Sequence, residues 1–218
     1  MIAARAPTEL CRIAARHDTD KGVDFTSVYH SLLSHVREAP LRLLEIGLYN
    51  GGSLRMWRDY LPNATLYGID VDPRTLAYEQ EIPGTKVRMV DQADARALRA
   101  FVDELGGSYD VILDDGGHTM EQQIVSFEVL FPHVVSGGIY IIEDLGTSYF
   151  VEYGGRPIGE DGTAVAHMKR LVDAVQHEHM TPGHESIHSA VSRVALAQVR
   201  RDVASMQFHP GQAIIVKA

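Results

Sequence analysis

From about Arg42 onward, short compact apolar runs alternate with stretches whose apolar residues recur every three to four positions. The first pattern predicts buried strands, the second amphipathic helices. Residues 41–46 (LRLLEI) form the first strand candidate, ending at Gly47; Leu54, Trp57, Arg58 and Leu61 then mark a helix closed by Pro62. Residues 65–69 (TLYGI), 87–90 (VRMV), 109–113 (YDVIL) and 139–142 (IYII, after Gly137-Gly138) predict four more strands. Between them, Leu98, Phe101, Val102 and Leu105 mark one helix, and Ile124, Phe127, Leu130 and Phe131 another. Strands joined through single helices imply parallel pairing by right-handed crossovers. The end of the chain differs. Residues 203–208 and 213–216 flank His209-Pro210-Gly211-Gln212, which predicts an antiparallel hairpin.

The expected fold is therefore α/β: a Rossmann-like, doubly wound sheet of about seven strands, mostly parallel, with an antiparallel C-terminal hairpin strand. Two mainly helical stretches, roughly 8–36 and 162–180, lie outside the alternating core, and 181–198 reads as a loop followed by a helix. No Pro/Gly/Ser-rich linker, low-complexity stretch or internal repeat divides the chain. Residues 1–218 are accordingly expected to form a single domain, with a helical cap segment over 1–40 and a core over 41–218 carrying a lid loop near 145–160.

Composition narrows the partners. The 218 residues are 45% hydrophobic with a mean hydropathy of −0.09, as in a globular chain that buries a substantial core. Net charge is −9, and the basic residues form only isolated pairs such as Arg200-Arg201. Nucleic-acid binding rests largely on phosphate neutralisation, so this balance argues against such a partner, and equally against a membrane surface. The lone Cys11 cannot form an internal disulfide. Residues 1–7 lack the apolar core of a signal peptide, and no run approaches the ~20 apolar residues of a membrane span. A cytoplasmic location and a small-molecule partner are expected.

In open α/β sheets, ligands bind outside the carboxyl ends of the strands. The first strand exits through Glu45-Ile46-Gly47-Leu48-Tyr49-Asn50-Gly51-Gly52-Ser53, which reads E-x-G-x-x-x-G-G rather than the dinucleotide fingerprint G-x-G-x-x-G. Glycines there let backbone approach a ligand, although an ordinary glycine turn reads the same way in isolation. Asp70 closes the second strand and can accept hydrogen bonds from both ribose hydroxyls of an adenosine. Asp72 can instead cap the next helix, with Pro73 at its first position. Asp91, Gln92 and Asp94 follow the third strand with polar groups for an adenine edge, and Asp94 serves equally as a helix N-cap. Together these features resemble the S-adenosylmethionine site of class I methyltransferases.

The fourth strand runs into Asp114-Asp115-Gly116-Gly117-His118 and the fifth into Glu143-Asp144-Leu145-Gly146-Thr147-Ser148-Tyr149. Adjacent carboxylates destabilise one another unless some are protonated or a cation lies between them. All-oxygen ligation favours a hard ion, Mg²⁺ first, with Mn²⁺ or Ca²⁺ as alternatives. Thr119 with Gln122 makes a capping box, so the following helix starts without Asp114 or Asp115. His118 stands three residues after Asp115 and is the candidate general base. The other histidines read as ordinary surface or core residues. A metal that acidifies an alcohol, with a histidine to take its proton, points to methyl transfer onto a hydroxyl, and a vicinal diol would chelate best.

The stretches LEIGLYNGGSLRMWRDYLPNATLYGIDVDP, VILDDGGHTMEQQ and GGIYIIEDLGTSY, with DTDKG at 18–22, Thr26 and Tyr29, resemble the metal-dependent O-methyltransferases of antibiotic tailoring. That family includes mycinamicin and rhamnosyl O-methyltransferases and relatives labelled cephalosporin hydroxylase. The resemblance implies S-adenosylmethionine as cofactor, Asp115, Glu143 and Asp144 as metal ligands, and His118 as base. It places Glu45, Gly47, Tyr49, Gly51 and Ser53 in the cofactor site, together with Asp70, Asp91, Gln92 and Asp114. Lys21 and Tyr29 would close over that site, and the acceptor would be a sugar hydroxyl on a natural product. Relatives often carry His where this chain has Gly146, and the glycine- and aromatic-rich loop 146–159 looks like a substrate lid. Homo-oligomers are common among such enzymes, but nothing in the sequence specifies an interface. Three other readings stay open: a catechol-type phenolic O-methyltransferase, an iron-dependent hydroxylase, and a module that binds S-adenosylmethionine without catalysis.

Overall fold

The computed structural model describes residues 7–177 and 202–218, so the loop-then-helix reading of 181–198 lies outside the described residues. Contacts divide the chain into two compact units, Met1–Asp91 and Gln92–Ala218.

The first unit opens with helices α1 (Glu9–Ala14) and α2 (Val23–Leu33), the cap segment expected from the helical pattern. Strand β1 (Arg42–Ile46), helix α3 (Gly52–Tyr60), strand β2 (Thr65–Asp70), a short turn of 3₁₀ helix (Pro73–Ala77), α4 (Tyr78–Glu81) and β3 (Thr85–Met89) follow. The strands run β3-β2-β1, all parallel, with Leu44 opposite Tyr67 and Tyr67 opposite Lys86. Strands β1 and β2 are almost continuously buried, the usual state of parallel strands covered on both faces. Helix α3 packs its Trp57 against Tyr29 of α2, ring centroids 5.5 Å apart, and Tyr60 hydrogen-bonds Nδ1 of His30. Gly68 makes room for the buried Leu48, whose side chain would lie 2.7 Å from a Cβ at that position.

The second unit contains α5 (Ala95–Leu105), β4 (Tyr109–Asp114), α6 (Met120–Leu130), β5 (Val134–Ile142), α7 (Ala164–His177), β6 (Val203–His209) and β7 (Gln212–Lys217). Its strands run β4-β5-β7-β6. Strands β4 and β5 pair in parallel, whereas β7 pairs antiparallel with both β5 and β6. The predicted hairpin is thus present, turning at Pro210-Gly211 with Gly211 at φ 77°. The seven strands, mostly parallel with an antiparallel C-terminal pair, match the expected α/β class. No helix among the described residues is long and apolar enough to cross a membrane.

One strand differs from its prediction. Strand β5 begins at Val134 and includes Gly137-Gly138, which the pattern had placed before it. A Cβ on Gly138 would lie 2.8 Å from the Asp110 carbonyl oxygen, and the β4/β5 register shifts between Tyr109 and Val111. The glycines therefore mark an irregularity inside the strand rather than its start. The helix starts are as read from the sequence. Asp94 caps α5 through Arg96 and Ala97 N–H, Asp72 caps the 3₁₀ turn ahead of Pro73, and Thr119 with Gln122 forms a complete capping box on α6.

Candidate functional site

In the first unit the loop after β1 is shaped by backbone conformation and by its neighbours. Gly47 and Gly51 adopt φ of 84° and 74°, a left-handed region that glycine occupies without penalty. Tyr49 is also left-handed, at φ 45°, with its side chain 82% exposed and its carbonyl accepting from the Tyr78 hydroxyl. Asp70 holds the loop from β2. Its Oδ2 accepts from Leu48 and Tyr49 N–H at 2.7 and 3.2 Å, and its Oδ1 from Asp72 N–H at 2.8 Å. A carboxylate offers about four lone-pair sites, so three backbone donors leave capacity for a ligand hydroxyl.

Segment 18–21 buttresses the same loop. Asn50 donates to the Asp18 carboxylate and accepts from Gly52 N–H, and a Cβ on Gly52 would sit 1.9 Å from the Asp18 carbonyl oxygen. Lys21 Nζ lies 3.5 Å from Glu45 Oε1, both side chains being almost fully buried, and Ser53 Oγ donates to Glu45 Oε2 at 2.9 Å. Burying such a pair is costly unless the partners and their hydrogen bonds are all in place, so Lys21 and Glu45 tie this segment to the end of β1. Tyr29 lies wholly buried against Trp57. Asp91, just after β3, is exposed. Asn50, Asp18 and Tyr78 shape this loop through hydrogen bonds that no periodicity marks, those involving Asp18 and Tyr78 reaching across 32 and 29 residues.

In the second unit, the ends of β4 and β5 bring Asp115, His118 and Asp144 together, with one ligand atom from each within 4.8 Å of the others. His118 Nε2 stands 3.4 Å from Asp144 Oδ2 and 3.9 Å from Asp115 Oδ1. His118 and Asp144 both take left-handed backbone conformations, at φ 58° and 53°, which cost a non-glycine residue on the order of 1 kcal/mol or more. The Thr147 hydroxyl joins them, lying 2.9 Å from the His118 carbonyl and 2.8 Å from that of Asp144. His118 Nδ1 is buried with no hydrogen-bond partner among the described residues. Glu143 is not part of this group. It is buried beside α6, where its carbonyl accepts from Gln123 Nε2. His118 is the one histidine in the cluster, so a 2-His-1-carboxylate iron set is not assembled there among the described residues.

Asp114 and Gln92 form a second layer beneath the histidine loop. Asp114 is completely buried and accepts from Ser126 Oγ, Tyr140 OH and Gln92 Nε2. Burial pushes its carboxyl up to about 6, against these hydrogen bonds, which favour the charged form. Burial likewise raises Tyr140 well above the ordinary phenol range. Ser126 and Tyr140 look in the sequence like interruptions of apolar faces, and only the fold shows their shared acceptor. The loop after Asp144 forms two short 3₁₀ turns, Leu145–Tyr149 and Val151–Tyr153, closed by Gly155 N–H on the Phe150 carbonyl and Arg156 N–H on that of Ser148. It leaves Phe150, Val151 and Ile158 exposed.

The chain is similar to known methyltransferases. A family described as a methyltransferase domain matches residues 44–145. The tetracenomycin rhamnosyl 3'-O-methyltransferase of Streptomyces olivaceus is 37% identical over 82% of this chain and 48% of its own length. The mycinamicin VI 2''-O-methyltransferase of Micromonospora griseorubida is 35% identical over 72% of this chain and 40% of its own. The solved structure of the mycinamycin-pathway methyltransferase MycE, in complex with Mg and SAH, superposes with a TM-score of 0.84 and 30% identity, covering 98% of this chain and 54% of that one. The chain spans about half the length of the curated relatives it matches. With the fold matched from end to end and the sugar-modifying relatives agreeing in sequence, the chain belongs to the class I O-methyltransferase family of antibiotic tailoring.

Proposed function

We propose that this chain carries the catalytic domain of an S-adenosylmethionine-dependent O-methyltransferase acting on a sugar hydroxyl of a glycosylated natural product. The observation that carries the reading is the convergence of His118 with Asp115 and Asp144, held by strained backbone at the strand ends. The relatives' names specify sugar hydroxyls on tetracenomycin and mycinamicin, which supports a glycosylated acceptor here. On this reading residues 1–218 act as one cytoplasmic domain whose partner is a small molecule rather than nucleic acid.

The residues fit both cofactors. Asp70 keeps acceptor capacity for a ribose, and the glycine loop exposes backbone beside it. Asp115 and Asp144 offer hard oxygen donors within reach of one another, with His118 as the third group of the cluster, while the expected third carboxylate, Glu143, stands outside it. When bound, Mg²⁺ or Mn²⁺ supplies Lewis acidity that makes an alcohol proton easier to remove. His118 Nε2, 3.4 Å from Asp144 Oδ2, is placed to take that proton. The acceptor oxygen forms its bond to the methyl carbon as the sulfonium C–S bond breaks, leaving a neutral thioether. Thr147 fixes the His118 and Asp144 backbones, so the base need not be ordered during the reaction.

The test is calorimetric titration of S-adenosylmethionine and S-adenosylhomocysteine into chelator-treated protein, with and without Mg²⁺. Methyl transfer to rhamnosyl-tetracenomycin, demethylmacrocin and mycinamicin VI is then assayed. Binding of both cofactor forms, with Mg²⁺-dependent methylation of a glycosylated acceptor, is expected. Absence of binding under either condition overturns the reading.

A further inference from the structure

We infer that Gln92 is a positioning residue for the general base: it clamps the loop that presents His118 instead of contacting adenine. The inference rests on the reading of His118 as the base. Gln92 is 5% exposed, and both ends of its amide are engaged by the protein. Nε2 donates to Asp114 Oδ1 at 2.9 Å, and Oε1 accepts from Gly117 N–H at 2.9 Å. The chemistry fixes this orientation. The carboxylate can be met only by the amide nitrogen, and the backbone N–H only by the amide oxygen.

Asp114 cannot turn away, because Ser126 and Tyr140 hold its other oxygen. The clamp is therefore continuous from the end of β4, through Asp114 and Gln92, to the N–H of Gly117, the residue before His118. The loop rests directly on the amide: a Cβ on Gly116 would lie 1.7 Å from Gln92 Oε1. Gly117 is restricted from the other side, since its Cβ would lie 2.3 Å from Oε1 of the capping-box residue Gln122. Two glutamine amides thus account for the two glycines of the Asp-Asp-Gly-Gly-His run. They also explain how His118 persists in a conformation its own backbone disfavours. The Gly116–Gly117 peptide, one link ahead of the one entering His118, is held by Gln92, and the His118 carbonyl is held by Thr147.

A positioning role and an adenine contact predict opposite kinetics. Gln92→Leu keeps the approximate volume and removes both hydrogen bonds. Expected results are an increase of at least about tenfold in Gly117 amide hydrogen exchange, since its partner is lost. The kcat for the acceptor turned over best in the panel above should fall by about 10²-fold, the scale of a small misplacement of a reacting group. The S-adenosylhomocysteine Kd should stay within about twofold. Gln92→Asn, which retains an amide one methylene too short to reach both partners, should show the same split and serves if the leucine variant folds poorly. Unchanged Gly117 exchange overturns the clamp. So does a large rise in Kd with kcat preserved at saturation, which would return Gln92 to the adenine. The exchange measurement needs no turnover, so it still decides the clamp if the wild-type protein methylates none of the acceptors.

Discussion

The loop after β1 and the loop after β4 each leave a parallel strand and lead into a helix, yet they are stabilised in opposite ways. In the first, acidic groups are satisfied by the protein itself: Asp70 by three backbone N–H groups, Glu45 by Lys21 and Ser53. In the second, side chains of like charge converge around one histidine, and two non-glycine residues hold left-handed conformations. On the proposed function, the difference separates recognition from chemistry. A loop that must receive a ligand in one pose is best built finished, so that binding orders little. A group that must gain and lose a proton or a cation is best left with its electrostatic demand open, and the surrounding structure has to hold it there.

The comparison can be broken most directly at His118. His118→Ala should lower kcat by about 10²–10⁴-fold, the usual span for a general base, while S-adenosylhomocysteine affinity by calorimetry stays within about twofold. Retention of the wild-type rate would remove His118 from the chemistry. Asp144→Ala should cost about 10²-fold or more in kcat and, in the same titration, abolish the response to added Mg²⁺. An activity that still follows Mg²⁺ would place the ion elsewhere.

Asp70→Ala should act on the other side of the comparison. It removes the acceptor of three loop N–H groups and the carboxylate proposed to meet the ribose, and at about 1.5–3 kcal/mol for a hydrogen bond to a charged group it should weaken cofactor binding by roughly 10- to 100-fold. The effect on kcat at saturating cofactor should be far smaller. Equal losses in Kd and kcat would mean that the two loops are not separate in function.

The last effect expected is on stability and touches neither loop. Burial holds His167 down to about 4, from an ordinary 6.5, with Arg170 pushing in the same direction. Between those values the unfolded chain takes up a proton that the folded protein refuses. Stability should therefore be complete above about pH 6.5 and fall as pH drops towards 4, by at most roughly 3 kcal/mol. His167→Gln should flatten that slope in denaturant titrations at pH 7 and 4.5. A variant that keeps the wild-type slope would assign the proton uptake to other groups.

Much of this architecture was legible because its signals are local. The compact apolar runs located the strands, and Asp72, Asp94 and the Thr119–Gln122 pair announced their helix starts through rules that act over three residues. The convergence of Asp115, His118 and Asp144 followed from their lying at strand ends. What escaped was non-local. The glycine pair in β5 looked like a boundary because nothing in the sequence shows that the backbone of β4 passes beside it. The hydrogen bonds that Gln92 and Asp114 make with each other and with Gly117, Ser126 and Tyr140 were likewise hidden, because they span 12 to 26 residues. A buried carboxylate and a glutamine read the same whether they face a ligand or each other, and only the fold tells the two apart.

The bracing of the loop after β1 by segment 18–21 also has a consequence in time. Every contact described for that loop, from Asp18 and Lys21 through Glu45 and Asn50 to Asp70 and Tyr78, lies within Met1–Asp91. Translation delivers these residues in order, at about 5–20 per second. The residues that brace this loop are therefore all in the chain before the histidine is added, so the order of synthesis supplies the loop's own supports ahead of the residue proposed as base.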